Sequence, residues 1–209
     1  MDLCCGVGMS TRALESAFHD AESLIGIDSS AEMIFMADAI SGHEWATRVA
    51  QRDAKEALKT GLRNTLKISF KAIYMRLMEV LSVIDSKPDP ANQSATQASY
   101  RVINAENTDI PVFSTDLVTI MYAFHEIPME ARGRILNEAR RILRRGGQLA
   151  IVDISPDYEP APAMLAGEPF VLEYQSSIEA QLTTFKGFRF SKCKSIVPGH
   201  VNLWLLTAA

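Results

Sequence analysis

The sequence contains only three cysteines, Cys4, Cys5 and Cys193, and two of them are adjacent. An odd set with this spacing forms no disulfide framework and matches no zinc site, so we predict no metal site. The same usage indicates a reducing, intracellular compartment, cytoplasmic by default.

An excess of positive charge and long apolar runs are also absent. The 21 Lys and Arg residues face 25 Asp and Glu residues, which gives a net charge of −4. Proteins that bind nucleic acid usually present a basic face, so we expect no nucleic-acid partner. No apolar run approaches the roughly 20 residues that span a bilayer. A chain of 209 residues is long enough for one domain with a sizeable core.

A glycine turn and an acid form the clearest candidate binding site. The segment Asp2-Leu-Cys-Cys-Gly6-Val-Gly8 ends a short strand, and Asp28 ends the next predicted strand. Gly6 and Gly8 allow a sharp turn and the close approach of a ligand to the backbone. An acid after the second strand can accept hydrogen bonds from both ribose hydroxyls. The pattern predicts a ligand that contains a nucleoside.

Two kinds of cofactor that contain a nucleoside are compatible with a glycine turn of this type. A dinucleotide site needs a third glycine for close packing of helix against strand, but Thr11 stands at that position. A sulfonium cofactor has no pyrophosphate, and Asp2 lies near the expected position of its cationic methionine head. We therefore favour the sulfonium cofactor, and a nicotinamide-dependent oxidoreductase is the alternative.

Strand-like and helix-like segments alternate through most of the chain. The segments LIGID, RVINA, DLVTIMYAF and QLAIVDI read as strands, and residues 130–144 read as a helix that Gly146–Gly147 ends. The tail reads as two antiparallel strands joined around Pro198–Gly199. The alternation predicts a doubly wound, mostly parallel α/β sheet covered on both sides.

Short polar residues mark two predicted helix starts. Ser10 or Thr11 is the expected N-cap of the first helix. Ser29 and Glu32 have the spacing of a capping box, and the helix that follows should run to about residues 41–42.

An insertion over residues 43–99 interrupts the alternation. Residues 43–84 are helix-like and hold eight Lys or Arg against four acids. Lys59, Arg63 and Lys67 share one face, which is either a solvated surface or a contact with an anionic membrane or partner. The polar, proline-containing residues 85–99 are predicted to be a disordered linker.

Five segments together resemble the successive motifs of the class I S-adenosylmethionine-dependent methyltransferases, in the same order. They are DLCCGVGMSTRAL, GIDSSAEMI, NAENTDIP, DLVTIMYAFHEIP and RRILRRGGQLAIVDI. The resemblance covers residues 1–41 and about 100–155, and it is strongest to the broad group that includes ubiquinone and menaquinone biosynthesis enzymes. It implies one Rossmann-like domain over residues 1–209, with seven strands and the insertion. It also implies transfer of a methyl group from S-adenosylmethionine to oxygen, carbon or nitrogen of a small or lipid-like acceptor.

The resemblance also implies cofactor-binding residues for the methionine and ribose parts. Gly6, Gly8 and the backbone of Cys4 would line the methionine part. Asp28 would bind the ribose, with Ser29 beside it. In this family a glycine stands at the position of Cys4, so a positive φ there would cost about 1 kcal/mol or more.

Three further residues are implied at the adenine end of the cofactor. Asn104 takes the place of an acid that binds the adenine amino group, and its side-chain carbonyl can still accept a hydrogen bond. Ala105 would lie against the adenine ring, and Tyr122 would close the far side of the cofactor.

Candidate acceptor-binding residues follow the later strands. His125 comes after DLVTIMYAF, where it either takes a proton from the acceptor or has a structural role. Tyr158, Phe170 and Tyr174 follow the next strand and either wall the acceptor pocket or belong to the core.

Only two or three residues of the first strand precede the glycine turn, and the lead-in helix of the family is absent. We therefore expect an N-terminally truncated domain with weaker cofactor binding, from which any targeting peptide to an organelle would also be lost. A non-catalytic module that keeps the methyltransferase fold is a second alternative.

Overall fold

The computed structural model describes residues 1–18, 20–41 and 98–209. The strands are β1 (Asp2–Leu3), β2 (Ile25–Asp28), β3 (Ser99–Val102), β4 (Thr115–Met121), β5 (Leu143–Ile154), β6 (Phe188–Val197) and β7 (Val201–Ala208). The helices are α1 (Met9–Ala17), α2 (Ala31–Ser41), α3 (Met129–Ile142), α4 (Pro162–Gly167) and α5 (Val171–Thr184), with a 3-10 turn at Phe124–Glu126. Among the described residues no helix is long and apolar enough to cross a bilayer. The predicted basic helix and nearly all of the predicted linker lie outside the described residues.

The strands form one sheet in the order β3-β2-β1-β4-β5-β7-β6. The first five are parallel, whereas β7 runs antiparallel to both β5 and β6. The centre of the sheet is fully buried, as Val118, Ile120, Leu149 and Ile151 show. The predicted doubly wound sheet with an antiparallel C-terminal pair is confirmed.

Strand register brings the predicted cofactor residues to one edge of the sheet. Asp2 on β1 lies opposite Gly26 on β2 and Thr119 on β4. The carboxyl ends of these three parallel strands therefore open together, which is where ligands bind in such sheets. At the opposite edge, beside the short strand β1, lies a cavity of about 830 Å³.

The predicted N-caps are wrong in both of the first two helices. Gly8, with φ 73°, precedes α1 and caps it without a side chain, while Ser10 and Thr11 donate hydrogen bonds elsewhere. At α2 the cap is Ser30, whose Oγ accepts a hydrogen bond from the Met33 N–H at 3.2 Å. At α1 the carboxylate of Asp2 offers the two hydroxyl groups a stronger partner than the free helix end.

Strand β3 begins earlier than the RVINA pattern predicted. The Ser99 N–H donates to the Leu24 carbonyl at 2.9 Å, and the Ala98 N–H donates to Glu15 Oε1 at 2.6 Å. Pairing with β2 thus adds Ser99, the last residue of the predicted linker, and Tyr100 to the strand. Asn104 and Ala105 consequently lie in the loop after β3 rather than on it.

Helix α3 ends at Ile142, two residues before its predicted end. Leu143 already has extended backbone, with φ −68° and ψ 130°. Gly146 and Gly147 lie within β5, beside a shift in its register with β4. The glycine pair therefore accommodates a strand irregularity and does not end the helix.

Candidate active site

The glycine turn between β1 and α1 has the conformation that the sequence predicted. Gly6 and Gly8 have φ of 52° and 73°, a region that residues with a Cβ rarely adopt. A Cβ added at Gly8 would lie 2.5 Å from Cε1 of Tyr100, so this position has no room for a side chain. A Cβ at Gly6 would meet nothing within 4 Å, so open space adjoins the turn there.

Cys4 occupies the same left-handed region, with φ 58°. The backbone of Cys4 therefore has the strained conformation whose cost the sequence analysis considered. Burial, with the nearby charges of Asp28, Asp2 and Glu106, raises the pKa of the Cys4 thiol to about 12. Burial likewise raises the pKa of Cys5 to about 12. Both thiols stay protonated at neutral pH and act as packed side chains rather than nucleophiles.

Asp28 lies beside the open space at Gly6. Its Oδ2 accepts the Gly6 N–H and its Oδ1 accepts the Ser30 N–H, both at 2.9 Å. A carboxylate has about four lone-pair sites, so each oxygen retains one for a ligand hydroxyl. Asp28 is half-buried, and Ser29 beside it is exposed. This arrangement fits a ribose with two neighbouring hydroxyls.

Asp2 on β1 is buried and fully engaged in hydrogen bonds within the protein. Its carboxylate has no exposed surface and accepts hydrogen bonds from Ser10, Thr11 and Thr119 at 2.6 to 2.7 Å. Burial raises the pKa of Asp2, although the three hydroxyl hydrogen bonds act in the opposite direction. Within the protein Asp2 thus joins β1, β4 and α1, and its predicted contact with the methionine part of the cofactor stays a prediction.

The loop after β3 lies beside Asp28. The Ile103 N–H donates to the Asp28 carbonyl at 2.9 Å, which places Asn104 and Ala105 next to the ribose position. Asn104 is exposed, and its Oδ1 accepts the Glu106 N–H at 2.9 Å. Ala105 is buried. The loop thus has the position expected for the adenine end, although the acceptor atom of Asn104 already has one partner.

The far side of this edge is formed by the residues that follow β4. Tyr122 has φ 53° and ends the strand three residues before the predicted end. Its N–H donates to the Val152 carbonyl at 2.8 Å, so the chain stays paired with β5 as it turns. Burial, and then the charge of Asp153, raises the pKa of the Tyr122 hydroxyl, which therefore remains protonated at neutral pH.

His125 forms a pair with a buried acid that the sequence argument did not identify. Its Nδ1 lies 2.5 Å from Oδ1 of Asp153, which is fully buried at the end of β5. Its Nε2 lies 3.4 Å from Glu168 and 3.7 Å from Glu126. Burial alone would lower the pKa of His125, but Asp153 and then the two glutamates raise it above the ordinary value.

Comparison with known proteins agrees with this geometry. Residues 73–151 match the family model described as a methyltransferase domain. The match includes β3, β4, α3 and most of β5, and the glycine turn lies outside it. Part of the chain is therefore similar to methyltransferase domains. This similarity supports S-adenosylmethionine as the cofactor over the nicotinamide alternative.

Solved structures confirm the methyltransferase fold at low sequence identity. A methyltransferase from Methanosarcina mazei is 14% identical with a TM-score of 0.58, and the match covers 99% of this chain and 90% of that one. One from Aquifex aeolicus is 15% identical with a TM-score of 0.59, covering 100% and 80%. The magnesium protoporphyrin IX methyltransferase from Synechocystis, with bound S-adenosylhomocysteine, is 14% identical with a TM-score of 0.52, covering 100% and 72%. No curated protein matches the sequence significantly. The comparisons do not distinguish the ubiquinone and menaquinone group within the class.

The aromatic residues predicted to line the acceptor pocket lie in two different environments. Tyr174 has no exposed surface, and its hydroxyl donates to the Ile154 carbonyl at 2.9 Å. It therefore lies in the core, which is one of the two roles that the sequence left open for it. Tyr158 is half-buried, with its ring 5.7 Å from the ring of His200. Phe170, also half-buried, lies at the start of α5.

The buried Glu138 and the partly exposed Arg141, both on α3, hold the adenine-side loop against this helix. Glu138 Oε1 accepts hydrogen bonds from the Thr108 N–H at 2.7 Å and from Arg141 at 2.6 Å. Arg141 also donates to the Ile110 carbonyl at 2.8 Å. A second pair joins Glu106 to Arg134. The acids and arginines of this network are visible in the sequence, but its pairing across 30 positions is not.

Proposed function

We propose that this protein transfers the methyl group of S-adenosylmethionine to a small or lipid-like acceptor bound beside His125. The observation that carries the proposal is the shared sheet edge. Asp28 and the open turn at Gly6 occupy one part of it, and the His125–Asp153 pair follows the neighbouring strands β4 and β5.

The residues of this edge have separable tasks. The cofactor supplies an electrophilic methyl group on a positively charged sulfur. The Cys4–Gly8 turn and Asp28 would hold the cofactor, with Asn104 and Ala105 at its adenine end. Tyr122 would bound its far side, and His125 would contact the acceptor. Positioning of this kind lowers the barrier because the acceptor atom is held in line with the methyl group.

Exposed apolar side chains near His125 support an acceptor with an apolar part. Leu165 lies on α4, three residues before Glu168, and Leu172 lies on the first turn of α5. Met129 is nearby, because its N–H donates to Glu173 Oε1 at 3.0 Å. These three side chains are 40 to 61% exposed, which is consistent with a surface that receives an apolar ligand.

The first test of the cofactor site is calorimetric titration with S-adenosylhomocysteine. We expect micromolar binding by the wild-type chain and at least a tenfold loss in Asp28→Ala, because the ribose hydroxyls lose their acceptor. The control is Asp20→Ala, which makes the same change at an exposed position by the opposite edge of the sheet. Equal affinity in all three folded proteins would overturn the assignment of Asp28.

A non-catalytic module with the same fold is the second candidate. Two observations favour it: the strained backbone at Cys4 and the hydrogen bond that already engages Asn104. Formation of S-adenosylhomocysteine during incubation with a panel of phenols, carboxylic acids, amines and quinols separates the two candidates. Binding without turnover on any acceptor would favour the module.

Contact with an anionic membrane through Lys59, Arg63 and Lys67 is a further part of the proposal and rests on the sequence alone. We expect the chain to sediment with phosphatidylserine vesicles at low salt and to remain in solution with phosphatidylcholine vesicles. Replacement of all three residues by Gln should abolish sedimentation. Absence of wild-type sedimentation would overturn this part.

A further inference from the structure

The last turn before α3 and the end of α4 bring three metal-binding side chains together. The ligand atoms of His125, Glu126 and Glu168 all lie within 4.8 Å of one another. We propose that they form a binding site for a divalent cation that holds an oxygen atom of the acceptor. The inference deepens the proposed function. The role of the ion rests on that function, but the binding of the ion does not.

The orientation of His125 is the first argument. Asp153 is held in place because it also accepts the N–H groups of Phe124, at 2.8 Å, and Ile154, at 2.7 Å. Its contact with Nδ1 at 2.5 Å favours a ring hydrogen on that nitrogen, so in the neutral ring the lone pair lies on Nε2. A carboxylate behind the histidine in this way is the usual support of a histidine that binds a metal.

The surroundings of Nε2 are the second argument. The lone pair of a neutral His125 meets carboxylate oxygens of Glu168 at 3.4 Å and Glu126 at 3.7 Å. Glu168 Oε2 is buried and has no hydrogen-bond partner among the described residues. A buried acceptor without a partner costs free energy, and three acceptors around one space repel one another. A cation between them would satisfy all three.

The distances suit a metal ion of ordinary size. Donor atoms about 2.1 Å from one ion are about 3.4 Å apart when the ligands are tetrahedral. The contacts at Nε2 lie at or slightly beyond this separation, and Glu126 is exposed enough to rotate inward. One imidazole with two carboxylates favours Zn²⁺, Fe²⁺ or Mn²⁺ over ions that prefer only oxygen.

The position of the site indicates its role. Three protein ligands leave at least one coordination position open, as in catalytic metal sites. An acceptor hydroxyl bound there would have a lowered pKa and would release its proton to water, so its oxygen would be ready for methylation. The acceptor class that this predicts is a molecule with a hydroxyl or enol oxygen.

Titration of Zn²⁺ and Mn²⁺ into the metal-stripped protein tests the site directly. We expect one ion per chain, and at least a tenfold weaker affinity in Glu168→Gln, which keeps the shape of the side chain. The matched control, Glu159→Gln, makes the same change at an exposed position nine residues away and should bind like the wild type. Asp153→Asn should lower the affinity about 10- to 100-fold while all three ligands remain. No uptake, or uptake unaffected by Glu168→Gln, would overturn the proposal.

Titration of S-adenosylhomocysteine into the same samples distinguishes failure of the cation site from failure of the proposed function. Cofactor binding and turnover that persist with a chelator, in the absence of metal uptake, would overturn the cation site alone and leave His125 as the direct proton acceptor. Metal uptake without any cofactor binding would overturn the proposed function and leave the ion site standing.

Discussion

At the scale of single residues, the backbone of Cys4 is the most consequential departure from the family pattern. Its φ of 58° suits the glycine that the family has at this position. A residue with a Cβ in this region is strained by about 1 to 2 kcal/mol. The turn is therefore maintained by its surroundings and not by the local preference of its own residue.

A pair of variants measures this strain. Cys4→Gly and Cys4→Ala both remove the sulfur, but only alanine keeps the Cβ. We expect Cys4→Gly to be more stable than Cys4→Ala by about 1 kcal/mol in urea unfolding, because glycine accepts the left-handed conformation. Equal stability of the two variants would show that the turn relaxes at no cost.

At the scale of elements, the close packing of the glycine turn against β3 predicts unequal effects of two similar substitutions. Gly8→Ala would place a Cβ 2.5 Å from the Tyr100 ring, whereas Gly6→Ala meets open space. Both substitutions are strained by a positive φ, but only Gly8→Ala must also displace the Tyr100 ring. We expect the free energy of unfolding of Gly8→Ala, measured in urea, to be lower than that of Gly6→Ala by more than about 1 kcal/mol. A Gly6→Ala variant that is the less stable would contradict this packing.

The ion pair between Glu138 and Arg141 on α3, which also bonds the adenine-side loop, predicts a pH dependence. Burial would raise the pKa of Glu138, but hydrogen bonds from Arg141 and Thr108 lower it below its ordinary value. A lowered carboxyl pKa contributes stability above the unfolded value of about 4.3, and this is lost as the pH falls through the folded value. We expect Glu138→Gln to be about 2 kcal/mol less stable at pH 7 and to lose less stability than the wild type on acidification.

The control for this prediction is Glu130→Gln, an exposed acid on the first turn of the same helix. It should follow the wild-type curve of unfolding free energy against pH. A Glu138→Gln curve parallel to that of the wild type would mean that the pair contributes nothing through its charge.

At the scale of the whole molecule, cofactor binding should stabilise the fold. The site joins residues from the turn after β1, the end of β2 and the loop after β3, so a bound ligand connects parts that separate on unfolding. At 100 times its dissociation constant a ligand adds about 2.7 kcal/mol, which raises Tm by about 5 to 10 °C in a chain of this size. Thermal unfolding with S-adenosylhomocysteine should show this shift for the wild type and not for Asp28→Ala at the same ligand concentration.

Much of the fold could be predicted because its signals are local. The glycine turn, the acid that ends β2 and the alternation of short apolar strands with helices each depend on residues close together in the chain. These features identified the doubly wound sheet and placed Gly6, Gly8 and Asp28 at one edge, since the carboxyl ends of parallel strands open together.

Only the tertiary structure decided which polar groups meet. Ser10 and Thr11 look like helix caps, but burial of Asp2 between two strands makes its carboxylate their stronger partner. His125 meets Asp153 and Glu168 across 28 and 43 positions of sequence, respectively. Local pattern determined the elements and their order. The long-range pairs depend on strand register and on the cost of burying charge, and neither is visible in any short stretch of the sequence.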